Sequence, residues 1–354
     1  MKFLVMDIGS GTKDTLLYDE RKHIENCIKI VVPSPSSIYA RKIIETTKSR
    51  KNLLIYGDVI GGGEFTSALL NHIKNCLSVT MSKYSAYSVR NDLKQVKEFG
   101  IRVIENNDLP EVFDGKVLEL DEIDLNKLKE FLMNYDEDLS DIDAIGIAIQ
   151  DHGAAPVGMS NRKFRIRMMK ELLSKRNDLF NLAFDEGAIP KNFIRMNSAF
   201  KASKRILPET RVLIMDTSFA AILGCLCDPI VKKTDSLLAI NFGNDHTLAS
   251  IISGTKVCGI MEHHTKLLNP KKIKNLIDRF VRSEIDDGDI FNDGGHGSFY
   301  IHPLKKFEIE LIAVTGPNRN LIKKTGLKYH FATPGGDMMM TGPLGLAMAA
   351  KKII

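Results

Sequence analysis

The apolar and polar residues of this chain follow the same order twice. In residues 3–31 an apolar strand ends in a polar, glycine-bearing turn at residues 7–12, and two more strands follow. Residues 237–265 repeat that order, with the polar turn at residues 241–247. Internal repetition is sought first because it sets the architecture of a chain. The pattern therefore predicts two similar domains that face each other across a cleft.

Between and after the repeats, strand patterns alternate with helical patterns, which is typical of α/β sheets covered on both faces. Polar residues and glycines follow several strands, at the edge where such sheets bind ligands. A helix of small residues, 342–350, lies near the end of the sequence. We predict an α/β fold with an N-terminal domain over residues 1–205 and a C-terminal domain over residues 206–354, which includes this closing helix.

Length and composition match an ordinary water-soluble protein. The chain has 354 residues, of which 44% are hydrophobic and 26% are charged, and this length suggests two domains. The net charge of +5 is spread over mixed-sign segments, so we predict no nucleic-acid partner. No apolar run approaches the roughly 20 residues that cross a bilayer, and no signal-peptide pattern is present. We therefore predict a cytoplasmic protein without a membrane partner; the oligomeric state is not indicated.

The cysteines do not form a recognisable framework. Their positions are Cys27, Cys76, Cys225, Cys227 and Cys258. Their number is odd and no C-x-x-C pair occurs, which argues against disulfides and against a zinc ribbon. We predict that they are reduced and mostly buried, as free cysteines usually are.

The two glycine-bearing turns suit phosphate. A glycine at the bend lets backbone N–H groups approach phosphate oxygens that a Cβ would obstruct. Asp7, at the end of the first strand, is placed to bind Mg²⁺ through waters, and Thr12 or Lys13 would add a hydroxyl or a charge. The alternative is a pair of ordinary β-turns with an aspartate in a solvated bend. Two such turns in register favour phosphate binding.

A third glycine cluster, Gly61 to Gly63, lies between a short strand and a helix. A helix N-terminus behind a glycine loop is an anion site in principle. The spacing fits neither the P-loop nor the dinucleotide fingerprint. A tight packing turn between strand and helix stays the alternative.

The residues 7–12 resemble the first phosphate motif of the superfamily that contains actin, heat-shock chaperone ATPases and sugar kinases. Residues 243–247 resemble its second phosphate loop, residues 314–319 its adenosine motif and residues 342–350 its closing helix. The resemblance implies two actin-like, ribonuclease H-like domains around an ATP and Mg²⁺ site, with Asp7 organising the metal. The implied nucleotide contacts are Asp7, Gly9, Ser10, Gly11, Thr12, Lys13, Gly243, Asn244, Asp245, His246, Thr247, Thr315, Gly316, Pro317 and Asn318.

Two further segments resemble the FGGY carbohydrate kinases. Residues 145–153 are similar to their strand that ends in Gln-x-His-Gly, and residues 216–224 to the segment with their catalytic aspartate. The resemblance implies that Asp216 is the general base; a helix N-cap is its alternative role. The residues implied to orient the acceptor are Gln150, Asp151 and His152.

Two positions depart from the superfamily pattern. Pro317 stands where a second glycine is common, and Asn241 stands where many relatives have an acid. Another nucleotide or phosphorylated ligand is therefore an alternative to ATP.

Five of the nine histidines lie in short polar motifs at strand ends or loops. With neighbouring acids they supply the ligand types of a zinc, iron or manganese site. The candidate metal residues are Glu262, His263, His264, Asp293 and His296, with His152 and His246 in similar motifs. No spacing among them is diagnostic, so contacts to substrate or phosphate and purely structural roles stay open.

The motifs around His246, His263 and His296 also resemble a prokaryotic family labelled "putative pyruvate formate-lyase activating enzyme". That label implies a radical SAM enzyme, which needs three closely spaced thiolates for its iron–sulfur cluster. The sequence has no C-x-x-x-C-x-x-C. We therefore predict that the chain is not a radical SAM activating enzyme.

Together these observations predict an ATP- and Mg²⁺-dependent phosphotransferase that acts on a small hydroxylated, sugar- or polyol-like molecule. One alternative is a metal-dependent hydrolase or lyase that uses the histidines and acids of the cleft. Another is a nucleotide-operated ATPase that binds a partner.

Overall fold

The computed structural model describes residues 1–156, 158–301 and 308–354. Its strands are β1 (Lys2–Ile8), β2 (Thr12–Asp19), β3 (Ile28–Pro33), β4 (Leu53–Gly57), β5 (Val79–Ser82), β6 (Ile101–Ile104), β7 (Lys116–Leu120), β8 (Ala144–Ile149), β9 (Arg211–Met215), β10 (Ser236–Phe242), β11 (His246–Ser253), β12 (Lys256–His264), β13 (Gly297–Tyr300), β14 (Leu311–Thr315) and β15 (His330–Phe331). Its α-helices are α1 (Pro35–Lys48), α2 (Gly63–Lys74), α3 (Lys83–Ala86), α4 (Leu93–Glu98), α5 (Leu125–Met133), α6 (Asn161–Lys175), α7 (Ile194–Ile206), α8 (Thr217–Cys225), α9 (Pro270–Val281), α10 (Asp287–Asn292) and α11 (Thr341–Ile353).

The first sheet has the strand order β3-β2-β1-β8-β9. Strands β1 to β3 form an antiparallel meander, and β8 and β9 add to it in parallel. Every residue of β8 is buried, as expected for a parallel strand with helices on both faces of the sheet.

The second sheet repeats this plan. Strands β10 to β12 form the meander, β14 lies parallel to β10, and β15 follows β14. Strand β13 extends the opposite edge. Two sheets with the same order of antiparallel and parallel strands define two ribonuclease H-like domains, the architecture of the actin superfamily. The fold class predicted from the sequence is confirmed.

The two hairpins are equivalent down to a backbone hydrogen bond. In the first, the Gly9 N–H donates to the Thr12 carbonyl at 2.9 Å; in the second, the Gly243 N–H donates to the His246 carbonyl at 3.0 Å. The register is equivalent too, since Ile8 lies opposite Lys13 and Phe242 lies opposite Thr247. The repeat seen in the sequence is therefore a repeat of local geometry.

A third, four-stranded parallel sheet with the order β6-β5-β4-β7 is inserted between β3 and β8. It has its own hydrophobic core, formed with helices α1, α2 and α4. The Gly61 to Gly63 turn connects β4 to α2 in this inserted layer. The insertion thus forms an additional wall next to the first hairpin.

One hydrophobic core joins both ribonuclease H-like sheets through helices α8 and α11. The two helices cross where glycines allow their backbones to touch. A Cβ on Gly224 would lie 1.7 Å from the Thr341 carbonyl oxygen, and one on Gly345 would lie 2.0 Å from the Ala220 carbonyl oxygen. The small residues of the closing helix therefore fix how closely the helices pack.

Strand β9 pairs with β8 and so belongs to the first sheet, although it lies C-terminal to residue 206. A boundary drawn by sheet membership would fall between β9 and β10. The division at residues 205 and 206 stays a prediction. None of the helices in the described ranges has the length and apolar character needed to cross a membrane.

We expect Gly224→Ala to lower the free energy of unfolding by about 2–3 kcal/mol, because the added methyl group overpacks a backbone contact. Urea unfolding measures this change. Gly326 is the matched control, because its Cβ would meet nothing within 4 Å. Gly326→Ala should cost only the roughly 1–2 kcal/mol of its left-handed backbone. Equal losses at both positions would contradict the close helix contact.

Candidate functional site

A cavity of about 640 Å³ lies between the two ribonuclease H-like sheets. Its walls include residues at or just beyond the C-terminal ends of β1, β8, β9, β10 and β14. Sheets of this type bind ligands at that edge. Both glycine hairpins line this one cavity, so the two turns that the sequence singled out share a crevice.

Most of the residues predicted from the sequence line this cavity. They are Asp7, Gly9, Ser10, Thr12, Gln150, Asp151, His152, Gly243, Asn244, Asp245, His246, His264, His296, Thr315, Gly316 and Pro317. The predicted residues outside the lining are Gly11, Lys13, Asp216, Thr247, Glu262, His263, Asp293 and Asn318.

Two carboxylates, the partly buried Asp7 and the buried Asp14, mark one end of the cavity, which we call the carboxylate end. Asp7 on β1 lies opposite Asp14 on β2 in the hairpin register. Thr217 Oγ1 donates to Asp7 Oδ1 at 2.5 Å, and Thr12 Oγ1 donates to Asp14 Oδ2 at 3.3 Å. Within the described residues, Oδ1 of Asp14 is buried without a hydrogen-bond partner.

The carboxylate end is poor in compensating charge. Burial, together with the nearby carboxylate of Asp14, raises the pKa of Asp7 to about 8. Burial also raises the pKa of Asp14 to about 7. Two desolvated acids next to each other resist ionisation. A cation bound between them would stabilise both charges.

The two hairpins touch at their tips. A Cβ on Gly11 would lie 2.5 Å from Nδ2 of Asn244, so only glycine leaves room for the opposing side chain. Asn318 Nδ2 donates to the Gly243 carbonyl at 3.0 Å and so ties the predicted adenosine loop to the second hairpin. The carboxylate of Asp7 also contacts the start of α11, where a Cβ on Gly342 would lie 1.9 Å from Oδ2.

Lys13 is not placed to contact a ligand in the cavity. Its ammonium donates to the Ile123 carbonyl at 2.9 Å, on the side of the sheet away from the cavity lining. Residues adjacent on a strand point to opposite faces, and Lys13 is flanked by the lining residues Thr12 and Asp14. The predicted phosphate contact of Lys13 is not supported by this geometry.

Four histidines gather at the other end of the cavity, which we call the histidine end. His246 begins β11, His264 ends β12 directly opposite it, and His296 precedes β13. His152 reaches them from the loop after β8, in the first domain. The Nε2 atoms of His152 and His296 are 3.1 Å apart, and the ring centroids of His246 and His296 are 4.6 Å apart. The centroid of His264 lies 4.8 Å from that of His296.

A hydrogen-bond chain orients His246. Gln150 Nε2 donates to Glu262 Oε1 at 3.2 Å, so Gln150 Oε1 faces Nδ1 of His246 at 2.7 Å. An amide oxygen only accepts, so the His246 proton is on Nδ1 and Nε2 carries a lone pair. His246 therefore presents a free imidazole nitrogen on the side away from Gln150.

Arg165, on α6, forms an ion pair with Glu262 at the end of this series of hydrogen bonds. Its guanidinium bonds Glu262 through Nε at 2.8 Å and Asp216 through Nη1 at 2.7 Å. Arg165 is 2% exposed and Glu262 is fully buried. Burial alone would raise the pKa of Glu262, but Arg165 and the nearby imidazoles hold it well below its usual value. Glu262 is therefore ionised and stays an acceptor for Gln150.

The imidazoles of the histidine end are neutral near pH 7. Burial, with a contribution from Arg165, lowers the pKa of His152 well below its usual value. Burial likewise lowers the pKa of His246 to about 4 and that of His296 to about 3. The pKa of His264 is lowered for the same reason. Neutral imidazole is the form that binds metals.

The candidate metal residues named from the sequence do not all come together. His263 points away from the histidine end: its Nε2 lies 3.1 Å from Asp293 Oδ2, which also pairs with Lys272 at 2.7 Å. Glu262 is engaged by Arg165 and Gln150. The structure instead brings His152, His246 and His296 together, with their candidate ligand atoms all within 4.8 Å of one another. The sequence-based set is corrected accordingly.

Asp216 and Asp151 are held in structural hydrogen bonds. Asp216 caps α8 by accepting from the Ser218 N–H at 3.0 Å, and both of its oxygens also accept from Arg165. Asp151 accepts from the N–H groups of Gly153, Arg195 and Met196. Both therefore resemble N-cap and loop anchors, and Asp216 as general base stays a prediction that this geometry does not favour.

Several residues of the site were not predicted from the sequence. Asp14 could have been predicted from Asp7, because the turn length of a hairpin fixes which residues lie opposite each other. Arg162 and Arg195 also line the cavity and suit an anionic ligand. Arg165 gave no signal, since both of its acidic partners lie far away in the sequence.

The Gly61 to Gly63 turn also lines the cavity. A Cβ on Gly62 would lie 2.9 Å from the Ser88 carbonyl oxygen, and one on Gly61 would lie 3.1 Å from the Arg195 guanidinium. The turn is tightly packed and also reaches the ligand space, so both interpretations of this glycine cluster stay open.

Residues 60–321 match the family described as "Putative pyruvate format-lyase activating enzyme (DUF1786)". The match spans more than half of the chain, which therefore belongs to this family. No curated protein matches the chain.

Solved structures with a similar fold extend over almost the whole chain. The ethanolamine utilization protein EutJ from Carboxydothermus hydrogenoformans is 9% identical, with a TM-score of 0.36, over 98% of this chain and 89% of its own. A ROK family glucokinase from Streptomyces griseus is 10% identical, with a TM-score of 0.37, over 99% and 100%. The inorganic polyphosphate/ATP-glucomannokinase from Arthrobacter sp. strain KM is 11% identical, with a TM-score of 0.36, over 99% of each chain. Because these scores are below 0.5, the fold is identified here from strand order and hairpin geometry.

The cysteines do not fit the iron–sulfur cluster that the family description implies. All five lie in the described part of the chain, and no three of them converge there with candidate ligand atoms. Burial raises the pKa of the Cys227 thiol to about 12 and also raises the pKa of Cys225. Cluster ligands are thiolates, which this environment disfavours.

We expect Arg165→Met to lower the free energy of unfolding by about 3–5 kcal/mol near pH 7, because it leaves Glu262 and Asp216 buried without their cation. Glu262 contributes stability above its ordinary pKa of 4.5, and that contribution is lost as the pH falls through its lower folded value. The difference between wild type and variant should therefore shrink in acid. Urea unfolding at several pH values measures it.

The control is Arg167→Met on the same helix. Arg167 forms an exposed pair with Glu171, and such pairs contribute at most about 1 kcal/mol. A similar loss for both variants, or a difference that does not change with pH, would contradict the role assigned to Arg165.

Proposed function

We propose that the chain binds ATP with Mg²⁺ in the central cavity and transfers the terminal phosphoryl group to a small hydroxylated, sugar- or polyol-like molecule. The observation that carries this proposal is the contact of two equivalent glycine hairpins, one from each domain, next to the carboxylates of Asp7 and Asp14. A charged group on one ligand can be held from both sides only where such loops face each other.

The residues of the carboxylate end fit a hydrated magnesium ion and a phosphate chain. Among the described residues, Asp14 has an oxygen without a partner, and burial raises the pKa of Asp7, so a bound cation would favour the ionised form of both acids. Mg²⁺ favours one or two carboxylates together with waters and phosphate oxygens. The backbone N–H groups near Gly9 and Gly243 would bind phosphate, and Thr315 to Asn318 would border the adenosine.

The acceptor would lie toward the histidine end, next to Gln150 and His152. The two ends belong to one cavity, so an acceptor there would share the ligand space with the phosphate chain. The terminal phosphoryl group of ATP supplies the chemistry, and the chain contributes positioning, charge stabilisation and exclusion of water. Arg162 on the cavity wall, which donates to backbone carbonyls, would offset part of the charge of the ligand.

The second candidate is a metal-dependent hydrolase or lyase. The observation that favours it is the cluster of neutral imidazoles at the histidine end. A turnover that needs ATP and an acceptor supports the phosphotransferase, whereas turnover of a phosphorylated compound without ATP supports the second candidate.

We expect Asp7→Asn to weaken binding of a non-hydrolysable Mg²⁺–ATP analogue by about 100-fold or more, since loss of outer-shell partners alone costs 10–100-fold at metal sites. The ligand-free variant should be at least as stable as wild type, because a desolvated carboxylate without a cation is removed. Calorimetric titration and thermal unfolding measure the two effects.

Asp143→Asn is the control for this variant. Asp143 is an exposed residue that accepts from the Lys2 N–H at 2.7 Å, at the opposite end of β1 from Asp7. Unchanged nucleotide affinity in Asp7→Asn, or equal losses in both variants, would remove the carboxylate end from the proposal.

Asp216 can serve as the general base only if Arg165 releases it when the cleft closes. Asp216→Asn keeps a side chain that can cap α8 but removes the base. If Asp216 is the base, ADP formation with a panel of sugars and polyols should fall about 10²–10⁴-fold with unchanged nucleotide affinity. Turnover at the wild-type rate would assign Asp216 to a purely structural role.

A further inference from the structure

We propose that His152, His246 and His296 form a binding site for one divalent first-row transition-metal ion, with the open coordination positions facing the cavity. This three-histidine site differs from the set that the sequence suggested. It takes in His246 and, from the first domain, His152. The residues it leaves out are Glu262, His263, His264 and Asp293.

The distances between the imidazoles suit a single ion. Two nitrogens bound to one tetrahedral ion at about 2.0–2.1 Å are about 3.3 Å apart. The Nε2 atoms of His152 and His296 are 3.1 Å apart, and candidate ligand atoms of all three residues lie within 4.8 Å. Small side-chain rotations would bring the third nitrogen into the same sphere.

The hydrogen bonds of His296 leave its ring open to an ion. His296 is fully buried, its Nε2 lies 3.1 Å from Nε2 of His152, and its Nδ1 has no hydrogen-bond partner among the described residues. In a contact between two imidazole nitrogens one of them must carry the proton. An ion held by both Nε2 atoms would replace that shared proton, and the His296 proton would then be on Nδ1.

An outer layer holds the ligand side chain of His246 in place. The chain from Glu262 through Gln150 to Nδ1 of His246 fixes the tautomer and directs Nε2 away from Gln150. Carboxylate or amide partners of this kind accompany most metal-binding histidines. Glu262 therefore belongs to the site as a positioning residue and not as a ligand.

The net charge of the buried ionic groups next to the three histidines also favours a cation. Arg165 alone would repel a divalent ion, but its guanidinium is paired with two carboxylates, those of Asp216 and Glu262. The buried group therefore has a net negative charge. Imidazole nitrogens next to a group of net negative charge provide a favourable environment for zinc, iron or a similar ion.

The site joins the two domains, since His152 follows β8 and the other two ligands lie at β11 and β13. Three protein ligands and an open position are typical of metal sites that bind water or substrate. The ion would therefore hold an oxygen of the acceptor at the histidine end; this role rests on the proposed function, whereas the site itself does not.

The test uses the full chain, purified without a histidine tag, stripped with a chelator and loaded with Zn²⁺. We expect wild type to retain about one equivalent by elemental analysis and to show a rise in melting temperature with Zn²⁺. Co²⁺ should produce the visible absorption bands of an ordered nitrogen site. His246→Gln and His296→Gln should each lose the bound ion, and Gln150→Leu should weaken binding about 10–100-fold.

His263→Gln is the matched control, because His263 is a neighbouring buried histidine that points away from the site. It should retain the ion. If His296→Gln does not fold, His152→Asn at the partly exposed position provides the same test. A wild type that retains no Zn²⁺ and shows no Co²⁺ bands overturns the proposal, as does equal loss of the ion in His263→Gln and in the ligand variants.

The metal site and the nucleotide site are tested separately. Asp7→Asn should retain Zn²⁺ and lose the Mg²⁺–ATP analogue, whereas His152→Asn should lose Zn²⁺ and retain the analogue. Loss of Zn²⁺ binding in both variants would contradict an independent three-histidine site. Failure of nucleotide binding in wild type, with Zn²⁺ binding intact, would remove the proposed function and leave the metal site standing.

Discussion

The arrangement of the site depends on one buried guanidinium. Arg165 pairs with Asp216, which begins α8 beyond the first sheet, and with Glu262 on β12 of the second sheet, so it joins the two domains beneath the cavity. Without it, both carboxylates would be buried without a cation. Glu262 in turn orients Gln150, and Gln150 orients His246. The position of an imidazole in the cavity is thus set by an ion pair outside the cavity lining.

The cavity separates two kinds of chemistry along its length. At the carboxylate end, Asp7 and Asp14 are desolvated acids that favour a hard, hydrated cation. At the histidine end, neutral imidazoles favour a softer ion. Among the residues that the structure describes, each end holds a buried polar atom without a hydrogen-bond partner, Oδ1 of Asp14 at one end and Nδ1 of His296 at the other.

The sequence predicted the parts of this structure that are local or repeated. The hairpins near Gly9 and Gly243, their glycines and the α/β fold follow from strand periodicity and turn chemistry, which act over a few residues. The sequence did not predict which histidines form the histidine end, because His152 and His296 meet only when the domains pack together. Asp216 and Lys13 show the same limit: their motif and spacing suggested ligand contacts, but the partners that hold them, Arg165 and the Ile123 carbonyl, are set by tertiary packing.

Both ends of the cavity draw residues from both domains, so a ligand that fills the cavity would contact both. At the carboxylate end the hairpin tips approach closely, since a Cβ on Gly11 would lie 2.5 Å from Nδ2 of Asn244. At the histidine end, Gln150 and His152 come from the first domain, whereas His246 and His296 come from the second. Neither the hairpin contact nor the histidine cluster exists within one domain alone. The relative position of the two sheets, held by Arg165 and by helices α8 and α11, therefore determines both.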